Sequence, residues 1–228
     1  MSGGGSGVGG ISSRQAAVTV WSLVERLATV FAEGENKLEA IRARDAFFDK
    51  AGKVFDDDGE LFEGRMAAFL EWYIIERRFR DGPPPAARVA SGQDRSFTDD
   101  ERRVAVRLAT SHRSLFEIIT VAGNQVEIDD LLGGARFVVT ERRSTAGFEP
   151  GALFEARIMW DGEVVVFGKT FLFHPPEAYE RIFELAERAA ARDDEEAPLE
   201  LLFQLSRLHV RWHRFNHLAA AKVYGGDG

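Results

Sequence analysis

Four turn-forming pairs divide residues 114–173 into short runs rich in Val, Ile and Phe, and this spacing restricts the fold more than any other feature. The pairs are Gly123-Asn124, Gly133-Gly134, Pro150-Gly151 and Asp161-Gly162. Such dipeptides between alternating segments indicate tight connections between antiparallel strands. The stretch therefore predicts an antiparallel meander of five or six strands, which tends to curl into a small barrel-like sheet.

The clearest strand covers residues 154–160, where apolar side chains alternate with Glu155, Arg157 and Met159. A period of two places the charged side chains on one face, and we expect that face to be solvated. Gly168 follows the Asp161-Gly162 turn and predicts a bulge or kink that separates the last two strand segments.

Apolar residues at helical spacing predict helices on both sides of the sheet. The expected helices cover about residues 12–32, 36–51, 60–80, 98–111, 177–192 and 198–224. Ser12 or Ser13 can cap the first helix, and Thr98 and Glu101 have the spacing of a capping box. The predicted fold class is α+β, with N-terminal helices, a central sheet and a C-terminal helical pair.

Shifts in composition suggest how the chain is divided. A linker or mobile loop over 83–97 is predicted because it opens with three consecutive prolines, Pro83 to Pro85. The predicted regions are a Gly/Ser tail over 1–11, a helical region over 12–82, this linker, a helix with the β unit over 98–174, C-terminal helices over 175–224 and a tail over 225–228.

Composition limits the chemistry that the chain can perform. Cysteine is absent, which excludes disulfides, thiolate zinc sites and a Cys nucleophile. The net charge of −8 disfavours nucleic acid as a partner, and no apolar run is long enough for a membrane span. The N-terminus lacks the pattern of a signal peptide, so we expect a cytoplasmic protein that does not act at a membrane.

The last predicted helix carries the densest set of candidate binding residues. Basic, aromatic and imidazole side chains lie along it: Arg207, His209, Arg211, Trp212, His213, Arg214 and His217. Two His four residues apart can share a metal ion, which makes His209 and His213 weak candidate ligands, but eight helical residues rise about 12 Å and exclude a site for all three. We expect this helix to contact a protein partner or a second copy, with surface or pH-responsive histidines as the alternative.

Basic residues of the predicted sheet allow a second hypothesis. Single-stranded nucleic acid is bound by cationic grooves with stacking aromatics, and the candidates here are Arg136, Arg142, Arg143, Phe148 and Arg157. Three carboxylates, Glu141, Glu149 and Glu155, interrupt the set. Ordinary solvated strand faces explain the same residues.

No catalytic motif is present in the sequence. It lacks a phosphate-binding loop, a Gly-x-Ser-x-Gly elbow and a Rossmann glycine pattern, so neither catalytic residues nor a cofactor are predicted. The sequence favours a non-catalytic interaction or assembly protein that acts through its terminal amphipathic helices. Nucleic-acid or small-ligand binding by the sheet is the alternative, and an unrecognised enzyme is the third hypothesis.

One resemblance covers about residues 69–160. It rests on Phe69-Leu70-Glu71-Trp72-Tyr73, Ser114-Leu115-Phe116-Glu117, Asp129-Asp130-Leu131-Leu132-Gly133, Phe137, Glu141 and the run from Gly151 to Arg157. These segments resemble uncharacterised bacterial proteins, some of which carry a C-terminal SEC-C motif. The resemblance implies zinc binding only through the SEC-C cysteines, which this chain lacks, and it implies no activity.

Overall fold

The chain is an α+β protein, described by a computed structural model over residues 19–80, 82–215 and 217–226, without the side chain of Asp57. Eight α-helices and one five-stranded sheet lie in this part of the chain. The helices are α1 (Val20–Ala32), α2 (Lys37–Ala51), α3 (Glu60–Ile75), α4 (Pro85–Ala90), α5 (Asp99–Ala109), α6 (Tyr179–Ala190), α7 (Ala197–Arg214) and α8 (Ala220–Gly225).

The sheet is mixed, with one parallel contact. Its strands are β1 (His112–Ala122), β2 (Gln125–Asp130), β3 (Arg136–Thr140), β4 (Leu153–Trp160) and β5 (Val165–Phe173). β1 pairs antiparallel with β2 and with β4, β2 pairs with β3, and β4 pairs with β5. β3 and β5 are joined in parallel by a single registered pair, Thr140 with Val166, so one seam of the curled sheet is narrow.

The predicted meander is wrong in one respect. β3 and β4 follow each other in the chain but do not pair, because β1 is long and curled enough to hold β2 on one edge and β4 on the other. The sheet has five strands, within the predicted five or six, because the last two predicted segments form one strand, β5. The predicted bulge at Gly168 is confirmed, since Phe171 lies opposite Ala156 and Phe167 opposite Ile158, so that β5 advances four residues while β4 advances two.

The concave side of the sheet encloses an aromatic core. Phe116, Phe154 and Phe167 are buried there, and Phe148 packs against them from the loop before β4. Alternation along the strands directs these rings inward, as the sequence pattern predicts. The opposite side of β4 is covered by helices, so this strand is buried on both faces up to Met159.

Asp130 closes the turn between β2 and β3. Its buried carboxylate accepts hydrogen bonds from the Ser114 hydroxyl and the Leu132 backbone N–H (3.0 Å), and it lies 2.7 Å from His112 Nε2. Although burial alone would raise the pKa of Asp130, these hydrogen bonds hold it below its usual value. The carboxylate is thus fully engaged and locks the turn.

The N-terminal helices form a second core around Phe47, Trp72 and Tyr73. The capping box of α5 is present as predicted, with Thr98 and Glu101 exchanging hydrogen bonds. Thr19 caps α1 through Ser22, while the predicted caps at Ser12 and Ser13 lie outside the described residues.

Two predictions for the N-terminal half of the chain differ from the structure. The 83–97 stretch contains α4 and buries Val89 and Phe97, since a proline is tolerated in the first turn of a helix. α3 ends at Ile75, before its predicted end, and Phe79 turns inward against the ring of Phe31.

The last predicted helix is broken into two. α7 ends at Arg214, and α8 starts at Ala220 and buries Val223 and Tyr224 in the core formed with α6 and α7. Burial of these two side chains requires a change of direction that a single straight helix does not allow. None of the described helices is long and apolar enough to cross a membrane.

Candidate functional site

A cavity of about 580 Å³ lies between the first half of α3, the outer face of β4 and β5, and the second half of α7. Exposed Glu60 and His213 mark its mouth, whereas buried Arg65, Glu155 and Arg157 lie at its floor. Apolar and aromatic side chains complete the walls: Leu61, Ala68, Phe171, Leu172, Phe173 and Trp212. We refer to this space as the α3–α7 cavity.

The charged floor of the cavity comes from the outer face of β4. Alternation points Phe154 and Ala156 into the sheet interior, so Glu155 and Arg157 point to the other side. Because helices cover that side, both side chains are buried, with 2% of Arg157 exposed. The expected solvated face is therefore wrong for this strand.

Arg113 and Arg157 are direct neighbours on β1 and β4 and are held by three carboxylates. Arg113 lies 3.5 Å from Glu76 and 3.3 Å from Glu155. Arg157 contacts Glu76 and lies 3.8 Å from Glu71, which also accepts a hydrogen bond from the Thr170 hydroxyl. Like charges opposite each other in a sheet repel, and these carboxylates compensate that repulsion.

Gly168 allows β5 to cross close to this network. A Cβ at Gly168 would lie 3.2 Å from Arg157 Cβ and 3.3 Å from the Arg157 carbonyl oxygen, tighter than ordinary van der Waals contact. The glycine is therefore needed for the approach of β5 to the buried ion pairs, which is a packing role rather than a break between two strands.

Arg65 takes part in none of these ion pairs. Only 4% of its surface is exposed, and its Nε and Nη2 atoms make no hydrogen bond among the described residues. The guanidinium lies over the ring of Phe47, 5.5 Å from its centroid, which stabilises the cation in part. Burial lowers the pKa of Arg65 to about 10, so the group is still charged at neutral pH.

Two buried histidines adjoin the same floor. Burial lowers the pKa of His209 to about 4 and that of His174 to about 3, so both rings are neutral at pH 7. His174 Nδ1 lies 3.1 Å from the Tyr224 hydroxyl, and its Nε2 lies 3.7 Å from Glu155 Oε1, beyond hydrogen-bond distance. Burial also raises the pKa of Glu155.

Unsatisfied buried polar atoms are concentrated at this cavity. Among the described residues, such atoms at or beside the cavity belong to Arg65, Glu155, Arg157, His174 and His209, and others lie elsewhere in the fold. Each buried donor or acceptor without a partner costs about 1 to 3 kcal/mol, and native proteins contain few of them. A polar ligand that engages such groups recovers that energy, so the arrangement suits binding more than it suits stability.

The structure divides the residues predicted for partner binding on the last helix. His209, Trp212 and His213 line the α3–α7 cavity, while Arg207 and Arg211 are exposed on the other side of α7.

The two remaining residues of that set lie at and beyond the end of α7. Arg214 donates hydrogen bonds to Asp58 and to the Lys53 carbonyl, and His217 follows the helix. The rings of His209 and His213 are 6.0 Å apart, and the described residues contain no group of three ligands that could hold a metal ion.

The residues of the nucleic-acid hypothesis do not form one exposed basic surface. Arg136 pairs with Asp129 (2.7 Å), and Arg157 is buried in the ion-pair network. Phe148 is half-buried against the aromatic core. Arg142 and Arg143 line a different cavity of about 750 Å³ near β3 and β5, where they pair with Asp161 and Glu141.

Sequence reasoning missed Arg65, Glu71, Glu76, Arg113 and His174. Only α3 carried a signal, because Arg65 and Glu71 interrupt a helix whose other buried residues are apolar or aromatic. A charged residue inside such a helix needs a polar partner, which the sequence does not identify.

A family described as of unknown function, DUF7986, matches residues 19–208. This match contains the whole of the 69–160 stretch and every charged residue of the cavity floor. The curated proteins and the solved structures gave no match.

Proposed function

Because the chain belongs to DUF7986, a family of unknown function, we propose a role from the geometry of the site: it binds a small organic anion in the α3–α7 cavity. The observation that carries the proposal is the Arg65 guanidinium, which lines the cavity, is buried and lacks a carboxylate partner in the ion-pair network. A buried cation without a partner is costly, and a bound anion removes that cost.

The dimensions of the cavity support a small ligand. Its volume of about 580 Å³ falls within the usual range for small-molecule sites, and its walls combine apolar side chains with a few polar groups. The Nε and Nη2 atoms form one edge of the guanidinium and match two oxygens of an anion. Both atoms are closed to solvent, so a ligand reaches that edge only after a rotation of the Arg65 side chain.

Thermal unfolding of the full chain in a panel of anions tests this function. The panel contains acetate, benzoate, inorganic phosphate, sulfate and a nucleoside monophosphate, each compared with chloride at equal ionic strength. We expect at least one anion to raise the Tm of the native protein and to lose this effect in Arg65→Met, since binding to the folded state stabilises it.

Arg103→Met serves as the matched control, because Arg103 is exposed on α5 and does not line the cavity, so its loss leaves the anion effect intact. Anion effects that are absent from the native protein, or that are equal in Arg65→Met and the native protein, would refute the proposed function.

A second candidate function is self-association through the end of α7. Phe215 is 43% exposed there, next to exposed Arg207 and Arg211. Aromatic and Arg side chains are enriched at protein interfaces, which supports a contact surface at this end of the helix. The apolar stripe of α7 that includes Leu201, Leu205 and Leu208 packs inside the protein, so this surface would rely on the exposed residues.

Light scattering coupled to size exclusion tests self-association. We expect a dimer at high protein concentration, with dissociation in Phe215→Ser and not in Trp160→Ser, a control at an exposed aromatic residue of β4. A strict monomer at all concentrations would end this proposal.

The remaining sequence predictions concern origin, location and nucleic acid. A bacterial origin and a relation to proteins with SEC-C motifs rest on the resemblance over 69–160. A cytoplasmic location likewise stays a proposal from the sequence. Nucleic-acid binding stays an alternative that a salt-dependent assay with short single-stranded oligonucleotides tests.

A further inference from the structure

The balance of charge around the α3–α7 cavity restricts the ligand. Two carboxylates, Glu71 and Glu76, are compensated by Arg157 and Arg113, and Arg113 also contacts Glu155. Among the described residues, Arg65 is the arginine of the floor without an ion pair, and the field of Glu155 acts on it. The network then holds three arginines and three carboxylates, so a ligand with one negative charge adds a single unbalanced charge, whereas a dianion adds two.

The mouth of the cavity disfavours highly charged ligands. Glu60 is exposed there, and His213 is the neighbouring titratable group on α7. A carboxylate at the entrance repels polyanions and phosphate dianions, so selection against multiple charge begins before the floor is reached.

The apolar walls of the cavity favour a ligand that has an apolar part. Between mouth and floor the cavity is lined by the apolar parts of Leu61, Ala68, Leu172 and Trp212, with two Phe residues of β5 beside them. A bare anion such as acetate would leave most of the 580 Å³ volume unfilled and the apolar walls without contacts. A ligand that contacts both walls and floor gains apolar burial together with the charge-assisted hydrogen bonds.

We propose that the ligand is a monocarboxylate with an apolar body, held by Arg65 at the carboxylate and by Trp212 and Leu172 along the body. This inference rests on the proposed function and gives it a chemical class. A planar carboxylate matches the two N–H groups on one edge of a guanidinium, and a single negative charge adds less unbalanced charge to the floor than a dianion does.

Calorimetric titration of the full chain with matched probes tests the inference. The probes are 2-naphthoic acid, 2-naphthyl phosphate and 2-naphthamide at pH 7.5, which share one apolar body and differ in the polar group. We expect the carboxylate to bind at least tenfold more tightly than either the phosphate ester or the amide. Arg65→Met reduces the affinity for 2-naphthoic acid at least tenfold, Arg65→Lys restores part of it, and Arg103→Met leaves it unchanged.

The outcomes separate this inference from the proposed function. A phosphate ester that binds as tightly as the carboxylate overturns the ligand class and leaves small-anion binding in place. An amide that binds equally well overturns recognition of the charge by Arg65. Failure of 2-naphthoic acid to bind, while phosphate, sulfate or the nucleoside monophosphate acts through Arg65 and benzoate does not, overturns the inference alone. If none of the probes binds and no anion of the panel raises the Tm, both the inference and the proposed function are refuted.

If Arg65→Met fails to fold, the ranking of the three probes on the native protein still decides the inference.

Discussion

Asp130 and Arg65 are both buried charged residues, but they differ in how many of their polar atoms are hydrogen-bonded. The carboxylate of Asp130 has partners at His112, Ser114 and the Leu132 backbone, all within one strand pair and its turn. Two nitrogens of Arg65 are buried without a hydrogen bond, and the residue lines a cavity. The chain itself satisfies the Asp130 carboxylate with hydrogen bonds, whereas the two Arg65 nitrogens are available to a ligand that enters the cavity.

The difference shows how to separate structural from functional charges in a chain without characterised relatives. Both residues are almost fully enclosed, so burial does not distinguish them. The number of hydrogen-bonded polar atoms does distinguish them, because a buried group with all its hydrogen bonds stabilises the fold and one without them destabilises it. Removal of the two groups should therefore change the free energy of unfolding in opposite directions.

The largest effect is expected from Asp130→Ala. The substitution leaves the Ser114 hydroxyl and the Leu132 N–H buried without their acceptor, and we expect the free energy of unfolding to fall by about 3 kcal/mol. Urea titration measures it. Asp129→Ala is the control, since Asp129 pairs at the surface with Arg136 and its loss changes stability by no more than about 0.5 kcal/mol. Equal effects of the two variants would contradict the structural role of Asp130.

The pH dependence of stability is the next effect in size. Native His209, with a pKa of about 4, stays neutral while the unfolded chain takes up a proton below about pH 6.5. The unfolded state then binds more protons, so His209 lowers the free energy of unfolding by about 2 kcal/mol between pH 7 and pH 5. His174 acts in the same direction.

Glu71 and Glu155 oppose this trend, because their pKa values are raised by burial and the native state therefore keeps protons that the unfolded state has lost. Their contribution to stability is present at low pH and lost as the pH rises. The comparison of native protein with His209→Phe isolates the histidine, and the variant should lose about 2 kcal/mol of the difference between pH 7 and pH 5. His217→Phe, at an exposed site, should keep the native dependence.

The third-largest effect on the free energy of unfolding is expected from Gly133→Ala. A Cβ at this position would overlap with the Asp130 carboxylate, which is fixed by its hydrogen bonds, and we expect a loss of about 2 kcal/mol. The same substitution in an Asp130→Ala background should cost much less, since the obstructing carboxylate is gone. Strictly additive losses in the double variant would show that the glycine acts independently of Asp130.

The smallest effect, of opposite sign, is expected from Arg65→Met. Replacement of an unpaired buried cation by an apolar side chain of similar length should leave stability unchanged or raise it by up to about 1 kcal/mol. Arg77→Met is the matched comparison on the same side of the fold, because Arg77 pairs with Glu39 and lies over Trp72, and its loss should destabilise. A clear loss of stability in Arg65→Met would place Arg65 with Asp130 as a structural charge.

The strands were predictable because their limits depend on local turn chemistry. The strand predicted over 154–160 agrees with β4 within one residue, and Thr98 and Glu101 marked the start of α5. The pairing of β1 with β4 and of β3 with β5 was not predictable, because it depends on how far the sheet curls. That curl is set by packing of the aromatic interior rather than by any single turn.

The site was predictable only in pieces. His209, Trp212 and Arg157 were singled out from the sequence, but in two separate hypotheses, since nothing local connects α7 with β4. Arg65 interrupts the apolar residues of α3, but nothing in the sequence identifies the elements that enclose it. Its burial results from α3 lying against both the sheet and the N-terminal helices, a tertiary effect that overrides the helical pattern.

The single parallel pair between β3 and β5 has a consequence for local motion. β3 is held by a five-residue register on the side of β2 but by one pair on the side of β5, and its Val138 is 55% exposed. Strands with few tertiary contacts open at a lower free energy than the global unfolding of the domain. The backbone amides of β3 on the side of β5 should therefore exchange with solvent before those of β1, which is paired with a strand on both edges. We expect the sheet to open locally between β3 and β5 while its aromatic core remains packed.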